Sequence, residues 1–345
     1  MKGLLARFAT ALLGASLILL VVQGAPTSVT ANGRAPSASV VAQARANFIK
    51  TMSAHAPEVG TDRSWVSPGL QHSGSVKAAN GTVTALPSAN WSGYADAEAS
   101  SSTTVSQVSG SWTIPSVQCL PAPYQNQDVF NANWVGIDGF SDQTVEQLGS
   151  ATQCFEGVEY YYVWYEMYPA GTVEEGTTAC INDNVNCPQP GDRISASVTV
   201  TPDGSAENNY TLTLIDHTNP QESFTVTQQC APSICADSSA EWIVERPAVL
   251  PVFNIIQILP LSDFTRTFFT RAGLISGGRA SDIQGFTGGG IYDITMNDDT
   301  SSYDLDCVDQ PSPPGTLLSA TDPTACPVAT PFFGGGFEVS WDSSF

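Results

Sequence analysis

From about Asn90 onward, apolar and polar positions alternate along the chain with a period of two. Val108, Gly110, Trp112 and Ile114 alternate with Ser109, Ser111 and Thr113. Ile194, Ala196, Val198 and Val200 alternate with Arg193, Ser195, Ser197 and Thr199, and Tyr210, Leu212 and Leu214 alternate with threonines. Successive side chains of a strand point to opposite faces, so these runs, separated by Gly, Pro, Asn and Asp, predict antiparallel strands with one face in a core. No amphipathic run of about 12 residues follows residue 90, which argues against a helical layer. Roughly 255 residues of short strands suit a single domain. The expected fold is all-β, an antiparallel sandwich of two stacked sheets.

The pattern before residue 86 is different. Lys2 and Arg7 flank an apolar run from Phe8 to Val22, the layout of a secretory signal peptide. This run is short of the roughly 20 residues that a membrane span needs. Residues 1–31 are therefore read as a signal, with cleavage after Ala31, and the chain as secreted and not membrane-bound. In residues 32–85 Val41, Ala44, Phe48, Ile49 and Met52 recur at helical spacing with Arg45 and Lys50 between them. This predicts a short basic amphipathic helix, and the Gly/Ser-rich run 67–85 reads as linker. Residues 86–345 form the expected main domain.

Charge sharpens that division. Seven of the 12 basic residues but only two of the 33 acidic ones lie in residues 1–77, so this stretch carries +5 and the rest −26 of the total of −21. A body this acidic offers nothing to nucleic acid, whose phosphates need Lys and Arg. It repels itself at neutral pH and is relieved when its carboxylates protonate in acid. The basic segment is expected to dock on the acidic domain as its inhibitor. The eight cysteines suit an oxidising compartment. Their roughly one hundred possible pairings leave the choice open, and local pairs are expected: Cys119–Cys154, Cys180–Cys187, Cys230–Cys235 and Cys307–Cys326. With no C-x-x-C and no histidine near paired cysteines, no metal or other cofactor is expected.

The usual hydrolase motifs (G-x-S-x-G, H-E-x-x-H, paired D-T-G or D-S-G) are absent from the sequence. After residue 85 only His217 could serve a Ser–His or Cys–His mechanism. Carboxylates and amides on aromatic-rich strands remain. One segment runs from Trp134-Val135-Gly136-Ile137-Asp138-Gly139 to Val145-Glu146-Gln147-Leu148-Gly149. In a second, Tyr160, Tyr162, Trp164, Glu166 and Tyr168 share a face. In a third, Glu241, Ile243 and Glu245 point one way and Trp242 and Val244 the other. A carboxylate among aromatics is desolvated and its pKa rises, which suits acid–base work in acid.

Together with Asn90-Trp91-Ser92-Gly93 and Trp164-Tyr165-Glu166-Met167-Tyr168-Pro169, these segments resemble the glutamic peptidases, or eqolisins. That family includes the scytalidoglutamic and aspergilloglutamic peptidases of fungi and bacterial relatives. The resemblance covers roughly residues 90–268. It implies a concanavalin-like sandwich of two seven-stranded sheets and an acid endopeptidase, a monomer acting on protein or peptide substrates. It places the catalytic pair on Glu245 and Gln147, with Trp91, Gly93, Trp134, Asp138, Trp164 and Glu166 lining the substrate cleft. Met167 stands where the family has a tryptophan, which would alter one cleft wall. The carboxylate that fungal members carry just after the catalytic glutamine has no counterpart, which removes one support for Gln147. Two alternatives share the pattern: a secreted glycosidase using Glu166 and Glu245, which would hold them about 5–5.5 Å apart, and a carbohydrate-binding module.

Overall fold

The structure is a computed structural model. It describes residues 36–53, 75–78, 81–119, 128–249, 257–296, 328–332 and 336–340, apart from 89, 99, 101, 141, 205 and 265. The signal peptide, its cleavage site and the Cys307–Cys326 pair lie outside these residues. The strands form two large sheets, one nine-stranded and one eight-stranded, where the resemblance implied seven in each.

In the first sheet the order is Ser75–Ala78, Gly81–Ser88, Gly289–Met296, Trp91–Glu98, Ser239–Glu245, Val129–Ile137, Val145–Phe155, Val158–Tyr168 and Thr172–Glu175. Every pairing is antiparallel except that of Gly289–Met296 with Gly81–Ser88. The stretch read as linker thus supplies Ser75–Ala78 and much of Gly81–Ser88. Its Gly and Ser content hid the alternation of Thr82 and Thr84 with Val83 and Ala85.

The second sheet runs Phe224–Cys230, Asn208–Asp216, Arg193–Pro202, Val105–Thr113, Thr267–Ser276, Gly336–Ser340 and Val328–Phe332, with Arg279–Asp282 paired to Thr267–Ser276. The last two strands of the path form an edge hairpin.

The sheets pack through one apolar core. It joins Val135, Leu148, Val163, Trp242 and Val244 of the first sheet to Val108, Trp112, Val198, Leu212 and Leu214 of the second. Two indoles tie the layers together: Trp112 Nε1 donates to Ser150 Oγ at 2.9 Å and Trp242 Nε1 to the Ser109 carbonyl at 2.7 Å. Three of the expected disulfides are present, Cys119–Cys154, Cys180–Cys187 and Cys230–Cys235.

A second apolar cluster lies on the outer face of the first sheet. Trp91, Ala132, Trp134, Ala151, Tyr160, Tyr162, Trp164 and Ile243 meet there with Val41, Ala44, Phe48 and Met52 of the helix Ala38–Met52. The predicted basic helix therefore exists, and it packs its apolar side on that face.

Candidate active site

The segments that carry the expected chemistry are adjacent strands in the middle of the first sheet. Alternation sends Glu241, Ile243 and Glu245 to its outer face and Trp242 and Val244 to the core. Glu245 lies opposite Trp91 on one side and Ala132 on the other. Gln147 lies opposite Gly136 and Glu166. Because Ala132 pairs with Ala151, four residues beyond Gln147, the two residues sit two strands apart and diagonally along the face.

Trp134 fills that diagonal. Its Nε1 donates to Glu245 Oε2 at 2.8 Å. Its six-membered ring reaches Gly136, where a Cβ would come 2.9 Å from Trp134 Cζ3 and 3.2 Å from Gln147 Cβ. Glycine there leaves the indole room beside Gln147.

Each member of the pair is held by a neighbour. Asn90 Nδ2 donates to Glu245 Oε1 at 3.2 Å, so both carboxylate oxygens have a donor. Ser88 fixes the turn that carries Asn90, its Oγ accepting from the Asn90 and Trp91 amides at 3.3 and 3.1 Å. Gln147 Nε2 donates to Glu166 Oε2 at 2.8 Å, and Thr172 Oγ1 donates to Glu166 Oε1 at 3.1 Å. Glu166 therefore orients the glutamine amide in a chain that lacks the fungal carboxylate. Asn90 and Thr172 were not singled out in the sequence. The only sign of Asn90 was its place at the head of a motif, and Thr172 had none. Glu245, Gln147 and Glu166 are completely buried.

The other expected residues divide. Trp91, Trp134 and Trp164 share the outer-face cluster, Trp91 and Trp134 edge to face with centroids 5.0 Å apart. Gly93, at φ +146°, allows a close approach that a side chain would block, since its Cβ would fall 2.0 Å from the Trp242 carbonyl oxygen. Asp138 sits at the end of its strand with φ +68° and uses its carboxylate to clasp the backbone at residues 237 and 238. Met167 packs against the inter-sheet core, which corrects the expectation that it alters a cleft wall. Its neighbour Glu166 lies on the outer face beside Gln147, so residue 167 must face the other way. His217 bonds Ser195 Oγ at 2.9 Å on the second sheet.

The helix Ala38–Met52 covers the Tyr162 side of this face. Phe48 stacks on Tyr162 with centroids 4.0 Å apart and planes 7° from parallel. Arg45 lies beneath the helix, its Cζ 5.2 Å from the centre of the Tyr162 ring. The same guanidinium forms an ion pair with Glu174 and donates to the Cys180 carbonyl at 2.6 Å. Asn47 Nδ2 donates to Asp128 Oδ2 at 2.7 Å, and Ser53 Oγ accepts from the Thr172 amide at 2.9 Å. Burial lowers the pKa of Arg45 against the raising pull of Tyr162, Glu222 and Tyr160. Burial also raises the phenols, Tyr160 to about 12.

Among the described residues, one group of His, Cys, Asp and Glu is compact enough for a metal ion: Glu146 with Cys230 and Cys235. Those cysteines form a disulfide, which has no thiolate to offer.

No curated protein matches the chain. Among solved structures, aspergilloglutamic peptidase from Aspergillus niger is similar at 20% identity, covering 62% of this chain and 99% of that one with a TM-score of 0.37. The model of the Peptidase A4 family matches residues 89–309, which contain every strand described around Glu245 and Gln147. The chain belongs to the Peptidase A4 family and is a glutamic-type peptidase, a hydrolase of protein or peptide substrates.

Proposed function

We propose that the protein is a secreted acid endopeptidase whose catalytic pair is Glu245 and Gln147. The observation that supports this pair most is the double grip on Glu245, from Trp134 Nε1 and Asn90 Nδ2, on the same sheet face as a Gln147 amide oriented by Glu166. In this reading the Glu245 carboxylate takes a proton from a water molecule as the water oxygen bonds to the scissile carbonyl carbon. The carbonyl oxygen becomes an oxyanion and receives a hydrogen bond from the Gln147 NH2. When the C–N bond breaks, Glu245 returns its proton to the departing amine. One water is consumed, one acid and one amine are released, and no cofactor takes part. A glutamine suits the donor role in acid because its N–H groups do not titrate.

Export follows from the apolar N-terminal run, and a monomer is proposed because the nine-stranded sheet has its site within one chain. The segment ending at Met52 is proposed to inhibit the domain by occupying the Tyr162 side of the cleft. Phe48 and Arg45 provide the contacts, and acid weakens them by protonating carboxylates. Full-length and processed protein should then differ in activity at pH 6 and converge after exposure to pH 3.

The assignment is tested by Gln147→Ala, which should cut turnover of a protein substrate at pH 3 by about 10²–10³, the usual cost of one oxyanion donor. Glu166→Gln should leave measurable cleavage, whereas a glycosidase using Glu166 would lose all activity on its glucan. Circular dichroism establishes that each variant is folded. Wild-type cleavage by Gln147→Ala would refute the pair.

A further inference from the structure

Away from the cleft, four carboxyl groups meet at one end of the sandwich. Asp138 and Asp142 belong to the turn after Val129–Ile137, Glu146 is the second residue of Val145–Phe155, and Asp237 precedes Ser239–Glu245. Asp138 Oδ2 accepts from the Asp237 amide at 2.8 Å, and Oδ1 accepts from the Ser238 amide at 2.6 Å. The Ser238 hydroxyl lies 3.0 Å from Asp138 Oδ1 and 2.7 Å from Asp142 Oδ2. A hydroxyl has one proton to give. It can therefore serve only one of the two carboxyls at a time.

Glu146 is in a harder position. It is completely buried, and among the described residues no N–H, hydroxyl or cation reaches either of its oxygens. Among the described residues, the groups that face it are acids or uncharged. Asp138 and Asp142 face it from the turn and Asp237 from the segment beside it. Tyr210, whose hydroxyl donates to Asp237 at 2.7 Å, faces it from the second sheet. The sulfurs of Cys230 and Cys235 lie within 4.8 Å. Glu241 feels Asp138, Asp142 and Asp96 as well, and among the described residues no Lys, Arg or His offsets the rise of Asp138, Glu146, Asp237 or Glu241. The neighbour that Glu146 does meet is the Asp138 carboxyl, and two carboxyls can bond only if one is protonated, so burial and this contact both hold Glu146 toward its neutral form.

We infer that this cluster is a proton-operated latch: while its carboxyls are protonated the amides of 237 and 238 hold the turn 138–144 in place, and when the protons are lost the mutual repulsion of the crowded carboxylates overcomes those bonds and drives the segments apart. The neutral-pH limit of the fold is then set at this end of the sandwich and not by the groups that perform hydrolysis. Burial is the largest cause and, with the neighbouring acids, outweighs the amides that favour charged Asp138 and the Tyr210 hydroxyl that favours charged Asp237: it lifts Asp138 to about 7 and Asp237 to about 6 and holds Glu146 well above its ordinary range. For groups raised in the folded state, the stabilisation is fully present below the unfolded value near 4 and lost as pH rises through the folded values. The loss should therefore fall between about pH 5 and 8.

The test is thermal unfolding of the full chain from pH 3 to pH 8, comparing wild type, Glu146→Gln and the exposed-site control Asp183→Asn. The latch predicts that Glu146→Gln melts like wild type at pH 3–4 but loses stability about one pH unit later on the way up. The control should follow wild type throughout. A Glu146→Gln curve superimposed on wild type would overturn the inference. So would restoration of the pH 7.5 melting temperature by calcium chloride, which would make the cluster a cation site. Should Glu146→Gln fail to fold, Asp142→Asn at the rim replaces it, with a smaller shift of the same sign expected and no shift counting against the latch.

Discussion

The two sheets share a core and differ on their outer faces. On the second sheet that face is a lattice of hydroxyls: Ser111 bonds Ser195 at 2.8 Å, Thr225 donates to Thr213 at 3.2 Å, and Gln107 donates to Thr199 at 3.2 Å. Burial there follows the alternation of residue types, with inward positions buried and outward ones partly exposed. On the first sheet, Val129–Ile137 and Ser239–Glu245 are buried at every position, polar residues included. Burying Gln147, Glu166 or Glu245 costs free energy unless each is hydrogen-bonded. The first sheet carries this cost on its outer side, where the proposed site lies.

Substitutions on the two faces should therefore have very different consequences. Glu245→Gln, on the first sheet, is expected to remove nearly all cleavage, a loss of about 10³-fold or more for a general base, while the circular dichroism spectrum stays unchanged. Phe48→Ala should weaken docking of the N-terminal helix by about 3–5 kcal/mol, the usual cost of deleting a buried aromatic ring. It would be read as higher activity of the full-length protein at pH 6. Gly149→Ala would place a methyl 2.1 Å from the Asn133 carbonyl oxygen and 2.7 Å from Trp134 Cβ. Crowding of that kind costs about 1–3 kcal/mol and should appear as a lower melting temperature. Thr213→Val, on the hydroxyl face of the second sheet, is expected to change stability by no more than about 0.5 kcal/mol in chemical denaturation. A larger effect of Thr213→Val than of Gly149→Ala would erase the contrast between the faces.

The same contrast explains what could be read in the sequence. The second sheet was legible because each strand has one wet face, so Ile194 to Val200 and Tyr210 to Leu214 announce their period. The aromatic-rich strands of the first sheet were legible by which residues share a face, and the placement of Trp242 opposite to Glu245 follows from alternation alone. Register was not legible, because pairing depends on contacts between distant segments. The diagonal between Gln147 and Glu245, and Trp134 lying across it, therefore emerge only in three dimensions. Asn90 and Thr172 are ordinary residues whose meaning lies in which carboxylate they reach. Asp138 sat in the right motif, yet its φ of +68° turns its carboxylate toward backbone amides. The strands at 75–88 were hidden by composition, since Gly and Ser favour turns when taken alone.

The hydroxyl lattice on the second sheet has a further consequence for life in acid. An acidic protein ordinarily stays dispersed because its molecules repel one another, and that protection disappears when its carboxylates are neutralised. The edge strand Phe224–Cys230 then has unpaired backbone that could join a neighbouring molecule. Thr225, Thr227 and Gln229 are its exposed positions. None of them titrates, so they bind water as strongly at pH 3 as at pH 7. This surface keeps its hydration layer when its charge is gone, and with it a barrier to sheet-on-sheet aggregation.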